Sequence, residues 1–104
     1  MENVYSPIED KKMEDLHLPI NDIVSSLSQN FTTHQLILQL AKNNQRAYVK
    51  ALHELDSDRP FQSLHSKIGK YLSASTNLVR FVQNKVDVDI FGQPSENAEW
   101  ERLV

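Results

Sequence analysis

The chain has 104 residues, 39 % of them hydrophobic, and its 14 acidic and 11 basic side chains give a net charge of −3. This length suffices for one small domain with one core, and the absence of cysteine excludes disulfides and thiolate metal sites. No apolar run approaches the roughly 18 residues of a membrane span and the polar N-terminus lacks a signal-peptide core, so we expect a soluble cytoplasmic protein.

The first 18 residues are acidic and lack periodicity, which predicts a flexible arm (residues 1–18) before a single domain over residues 19–104. After Pro19, apolar residues recur at i, i+3, i+4 and i+7 from Ile20 to Leu27. This spacing places them on one face of a short amphipathic helix.

The strongest helix start lies at Thr32, because Gln35 three residues later completes a capping box. The apolar stripe that follows predicts helix from about residue 33 to residue 55. Asn43 and Asn44 weaken its middle, so this segment is either one long helix or two helices that meet there.

Pro60 suits the first turn of a further helix. Four apolar residues line one side of that helix: Phe61, Leu64, Ile68 and Leu72. Gly69 is expected to be the small residue at which a second helix packs closely. After the small residues 73–76, residues 77–84 resume a helical pattern, although a strand is the alternative for these eight residues.

Residues 85–91 alternate strictly, which predicts a strand with Val86, Val88 and Ile90 on a buried face. Turn residues at 92–95 and a return strand over 97–104 complete a hairpin. The predicted fold class is therefore α+β, mostly α, with about four helices followed by a C-terminal β-hairpin. In a third reading, an all-helical bundle, residues 77–86 continue as helix and no hairpin forms.

Charge is segregated along the chain. Residues 1–30 carry six acids and two bases, and residues 87–104 carry five acids and one base. Residues 31–86 carry eight bases and three acids, and the window from Arg59 to Val86 has no acid. An acidic whole disfavours nonspecific binding to nucleic acid, but a basic middle allows a local site.

The helix at 60–72, a turn at Ser73 and a second helix anchored by Val79 and Val82 resemble the winged helix-turn-helix family, whose members follow the second helix with a β-hairpin. The resemblance covers roughly residues 32–104. The chain departs from the family at Ser73, where glycine is usual. The resemblance implies a small transcription regulator that binds double-stranded DNA. Such regulators often form homodimers, although no heptad seam is evident here.

The predicted DNA-binding residues fall into two groups. With Val79 and Val82 in the core, the second helix turns outward the side chains that can read bases: Asn77, Arg80 and Asn84. Hydroxyl and ammonium groups that can hold phosphates belong to Ser66, Lys67, Lys70 and Thr76.

The hairpin favours a different partner. If its valines face inward, Asp87 and Asp89 point outward, where they would repel phosphates. The acidic hairpin is therefore a candidate surface for a protein partner, and the alternative function is a protein-interaction module of the same fold that does not bind DNA. A shared surface for Lys67, Lys70 and Arg80 would favour DNA, whereas intervening acids would favour the interaction module.

We expect no enzyme, no metal and no cofactor. The histidines at 17, 34, 53 and 65 form no ligand cluster at zinc-site spacing, and Ser66 beside His65 is adjacency rather than a triad. The two glycines cannot form a phosphate-binding loop. The larger aromatic side chains are expected in the core: Tyr48, Phe61, Tyr71, Phe91 and Trp100.

Overall fold

A computed structural model describes the backbone of residues 7–104 and the side chains from residue 14 onward. Its elements are α1 (Pro7–Ser26), β1 (Asn30–Thr32), α2 (Thr33–Asn43), α3 (Gln45–Glu54), α4 (Pro60–Ala74), β2 (Val79–Val88) and β3 (Pro94–Arg102). The strands form an antiparallel sheet in the order β1-β3-β2, so β2 lies at an edge. The α+β, mostly helical class and the C-terminal hairpin are confirmed, and the all-helical alternative is wrong. None of the described helices has the length and apolarity of a bilayer span.

The expected arm over residues 1–18 is wrong for residues 7–18, which form the first turns of α1. Residues 1–6 lie outside the described part of the chain. Leu16 is fully buried one turn before Ile20, so the apolar stripe begins earlier than the sequence pattern indicated.

Pro19 lies inside α1, where a proline costs about 3 kcal/mol through a lost hydrogen bond and a steric clash. Tertiary packing on the preceding turn offsets this cost. Leu16 is buried, and the ring of His17 stacks on Tyr71 of α4 with centroids 4.3 Å apart. The helix therefore continues through a residue that normally ends one.

One hydrophobic core joins the helices to the sheet. Its buried side chains are Leu16, Ile20, Ile23, Val24, Phe31, Leu36, Ile37, Leu40, Tyr48, Ala51, Leu64, Ile68, Leu72, Val79 and Trp100. The predicted core positions of Tyr48 and Trp100 are confirmed. The prediction is wrong for Phe61 and Phe91, which are 40 % and 55 % exposed.

The capping box at the start of α2 is confirmed. The hydroxyl of Thr32 accepts the backbone N–H of Gln35 at 3.2 Å, and the Gln35 side chain accepts the backbone N–H of Thr32 at 2.9 Å. The chain breaks at Asn44, so the two-helix alternative is also confirmed.

The segment 77–84 is not a helix. β2 begins at Val79 and pairs with β3 along its length, which confirms the strand alternative and removes the second helix of the expected helix-turn-helix. Two causes act together. An eight-residue helix is marginal by itself, and the β-branched and aromatic residues Val79, Phe81 and Val82 favour a pleated strand.

The three-residue strand β1 was not predicted. Phe31 lies opposite Trp100 in the register of β1 and β3, and both are buried. The Trp100 indole N–H donates to the hydroxyl of Thr33 at 2.9 Å. These contacts place the start of α2 against the central strand.

Burial along the hairpin is the reverse of that expected. Val86 and Val88 are 64 % and 57 % exposed, whereas Asp87 between them is half-buried. Among the ten described residues of β2, only Val79 is buried. The hairpin thus extends beyond the core, and Asp87 finds its partners at the start of α2.

Thr32 is expected to be important for stability. Thr32→Ala removes the N-cap acceptor and a hydrogen bond to Asp87, so we expect the free energy of unfolding to fall by about 1–2 kcal/mol. Urea denaturation measures this change. Thr76→Ala, in an exposed turn, is the control and should shift stability by less than about 0.5 kcal/mol. Equal urea midpoints for wild type and Thr32→Ala would contradict the role of Thr32 as the N-cap of α2 and partner of Asp87.

Candidate functional site

A groove of about 730 Å³ lies between α2, α4 and the β2–β3 hairpin. It is lined by Thr33, His34, Ile37, Phe61, Gln62, His65, Gly69, Ser73, Phe81, Asp89, Ile90, Phe91, Ser95, Asn97, Ala98 and Trp100. Three of its aromatic side chains, Phe61, Phe81 and Phe91, are between 40 % and 55 % exposed. A concave and largely apolar surface with a few polar groups is typical of a binding site.

The helical period of α4 forms one wall of the groove. Leu64, Ile68 and Leu72 face the core, and a neighbouring row with four-residue spacing faces the groove: Phe61, His65 and Gly69. An added Cβ at Gly69 would meet no atom within 4 Å. The expectation that Gly69 is a close-packing position is therefore wrong, because open space lies beside it.

The turn of the hairpin forms the opposite wall. Oδ1 of Asp89 accepts the backbone N–H groups of Phe91 and Gln93 at 2.9 and 3.0 Å. Gly92 has a φ of +83°, a conformation that favours glycine. This turn holds Phe91 edge-on to Phe61, with ring centroids 5.0 Å apart and planes at 86°.

A network around Asp87 joins the hairpin to the start of α2. The carboxylate accepts hydrogen bonds from the Thr32 hydroxyl, the His34 Nδ1–H and the Asn97 side-chain amide, each at 2.7 Å. Asn97 Oδ1 in turn accepts the backbone N–H of His34 at 2.7 Å. Burial acts to raise the pKa of Asp87, but these three donors outweigh it and hold the pKa below its usual value.

The network also orients His34. A carboxylate can only accept, so Nδ1 of His34 carries the proton. The other ring nitrogen, Nε2, lies 3.3 Å from the Ser95 hydroxyl at the groove. The order Asp87–His34–Ser95 is that of a hydrolase triad. The Asp87 carboxylate also accepts from Thr32 and Asn97, so it links the hairpin to the start of α2.

His65 presents an uncharged ring to the groove. Its Nε2 lies 2.6 Å from the hydroxyl of Tyr48, and burial raises the pKa of Tyr48 to about 12. Burial, with a smaller effect of His34, lowers the pKa of His65 to about 4. His65 is therefore neutral at pH 7.

The predicted DNA-binding residues lie on different elements of the fold. Ser66, Lys67 and Lys70 lie on α4 and line a second, smaller concavity of about 330 Å³. Thr76 and Asn77 lie in the turn after α4, and Arg80 and Asn84 lie on β2.

The helix expected to carry Asn77, Arg80 and Asn84 does not exist, so the base-reading face predicted for it is wrong. Arg80 instead forms an ion pair with Glu101 on β3. The smaller concavity beside the lysines includes Asp56. An acidic side chain thus lies beside Arg80, and another lies beside the pair Lys67 and Lys70.

Sequence reasoning missed the groove residues His34, Ser95 and Asn97 and their link to Asp87. Their contacts join positions 53 to 63 residues apart between α2 and the hairpin, a separation that no local pattern reports. Phe91 offered one usable signal, since an aromatic residue beside a turn glycine lies at a loop tip, where exposure is common.

Comparison with protein-family models, curated proteins and solved structures gives no match. Within the described part of the chain, no three His, Asp or Glu side chains are grouped as a metal ion would require. The functional argument therefore rests on the chain's own geometry.

Acid is expected to weaken the fold through His65. Its pKa is about 4 when folded against about 6.5 when unfolded. The neutral ring therefore contributes fully above pH 6.5, and that contribution is lost as pH falls towards 4. Wild type should lose stability over this range more steeply than His65→Gln, as followed by thermal melting. Exposed His53→Gln is the control, and parallel pH profiles for wild type and His65→Gln would refute the assignment.

Proposed function

We propose that this domain is a protein-interaction module that adds an extended, basic segment of a partner protein to the edge strand β2. One observation carries the proposal, the row of exposed apolar side chains on this strand. Phe81, Val82, Val86 and Val88 are 50 %, 38 %, 64 % and 57 % exposed. Large apolar side chains that are exposed together indicate a surface that a partner covers.

The backbone of β2 is suited to accept another strand. An edge strand presents unpaired N–H and C=O groups, to which an extended peptide can add by main-chain hydrogen bonds. β2 has ten residues without proline, and its one bulge lies between Phe81 and Gln83. The stretch from Asn84 to Val88 is regular, so a partner strand can pair there while its side chains contact Val86 and Val88.

The acidic charge of the hairpin favours a partner segment that is basic. From Val86 to Glu99 the hairpin carries four acids and no base: Asp87, Asp89, Glu96 and Glu99. A partner segment with lysine or arginine beside its apolar residues complements this charge, and the attraction accelerates encounter. A nucleic acid would be repelled by the same carboxylates.

DNA binding through α4 is a second candidate, favoured by a specific observation. α4 carries no acidic residue, and Ser66, Lys67 and Lys70 lie on one side of it. If the winged helix-turn-helix resemblance holds, α4 takes the place of the recognition helix, because it is the helix that directly precedes the hairpin. DNA binding is the second candidate because acidic side chains lie beside these basic residues: Glu101 beside Arg80, and Asp56 beside Lys67 and Lys70.

A peptide titration tests the proposal. The probe is a fluorescent ten-residue peptide that alternates valine with lysine, compared with one that alternates valine with glutamate. We expect the basic peptide to bind, and Val86→Ser/Val88→Ser to weaken that binding by about tenfold or more through lost apolar contact. Val49→Ser is the matched control, since Val49 on α3 is 59 % exposed.

Random duplex DNA at low salt provides the second arm of the titration. If the peptide binds equally well to wild type and to the double serine variant, strand addition at β2 is excluded. If DNA binds instead, and Lys70→Ala weakens it while Arg80→Ala does not, the second candidate replaces the first.

A further inference from the structure

We propose that the groove between α4 and the hairpin is an aromatic cage for one organic cation, the guanidinium of an arginine or the ammonium of a methylated lysine. This inference rests on the proposed function, since it names the side chain that the partner segment inserts. Phe81 belongs to both the groove and the edge of β2, so the two proposals are tested at residues that they do not share: Phe61 and Asp89 line only the groove, and Val86 and Val88 lie only on the edge.

The aromatic rings meet in perpendicular pairs. Phe61 and Phe91 lie 5.0 Å apart at 86°, and Phe81 and Trp100 lie 5.8 Å apart at 78°. All four line the same groove. Phe61, Phe81 and Phe91 are 40 %, 50 % and 55 % exposed, so each offers uncovered ring surface to an occupant of the groove, and the faces of aromatic rings attract organic cations.

Asp89 supplies the balancing charge. Both hydrogen bonds that the Asp89 side chain accepts end on Oδ1, and Oδ2 has no partner among the described contacts. The N–H of Gln93, followed by that of Phe91, holds the pKa of Asp89 below its usual value although burial opposes them. The carboxylate is therefore ionised at neutral pH at the same groove as the rings.

No fixed cation competes for the site. The described residues that line the groove include neither lysine nor arginine. His65, which lies against Phe61 with centroids 6.1 Å apart, is neutral at pH 7 because its pKa is about 4. The site therefore combines aromatic side chains and one carboxylate with no lysine or arginine among its described lining residues.

The size of the groove agrees with a single side chain and its flanking backbone. Its volume of about 730 Å³ falls within the range of small-ligand sites. Gly69 keeps the α4 wall open, because no atom lies within 4 Å of where its Cβ would be. A purely apolar occupant would fill the same space but would leave the Asp89 carboxylate desolvated without a partner.

Titration of the full chain with blocked tripeptides, followed by NMR, tests this proposal. The central residue is arginine, trimethyl-lysine, lysine or the uncharged norleucine, and tetramethylammonium is the free cation. Three residues are too short to pair along β2, so strand addition does not contribute. We expect arginine or trimethyl-lysine to bind roughly tenfold more tightly than norleucine and to shift the ring signals of Phe61 and Phe91.

Two variants separate the contribution of the Asp89 charge to cation binding from that of the Phe61 ring. Asp89→Asn retains the Oδ1 acceptor of the turn and removes only the charge, while Phe61→Leu retains apolar volume and removes a π face. Each should weaken cation binding about fivefold or more. Asp58→Asn, in the exposed loop before α4, changes net charge equally and should leave binding unchanged within about twofold.

Four outcomes would contradict the proposal. Equal binding of norleucine and the cations would show an apolar slot, and equal effects of Asp89→Asn and Asp58→Asn would show general attraction to an acidic surface. If no tripeptide binds while the ten-residue basic peptide still does, strand addition stands and the cage does not. Competition by tetramethylammonium alone would assign the site to a free small cation.

Discussion

The fold of the hairpin depends on satisfying one half-buried carboxylate. Asp87 would be costly to bury without partners, and it finds three donors, on Thr32, His34 and Asn97. Two of these donors lie at the start of α2, so this carboxylate attaches the hairpin to that helix. The same residue, Thr32, caps the helix, which means that the end of β1, the start of α2 and the hairpin are stabilised together.

The attachment of Asp87 to α2 determines which side chains of the hairpin stay exposed. With Asp87 turned towards α2, Val86 and Val88 are left exposed along the edge of the sheet. The turn beyond them brings Phe91 against Phe61, which closes one end of the groove. An apolar edge, an aromatic groove and surplus acidic charge thus lie on one hairpin, and they complement a basic extended segment better than a phosphate backbone.

Features set by local interactions could be predicted from the sequence, and features set by distant pairing could not. The capping box at Thr32 and the break at Asn44 depend on residues within a few positions. The capping box was predicted correctly, and the break was one of the two alternatives left open for this segment. The helix over 77–84 was wrong because Val79 pairs with Arg102, a partner 23 residues away. Phe61 fits the apolar stripe of α4, yet its exposure depends on where the hairpin turn lies.

The tautomer of His34 tests the central claim most directly. At pH 8, where an ordinary imidazole is neutral, long-range proton–nitrogen NMR should show the proton on Nδ1 and not on Nε2. Asp87→Leu should abolish this preference and lower stability. A proton on Nε2, or rapid exchange between the two tautomers in the wild type, would mean that Asp87 does not hold the hairpin against α2, and the groove built on that contact would not exist.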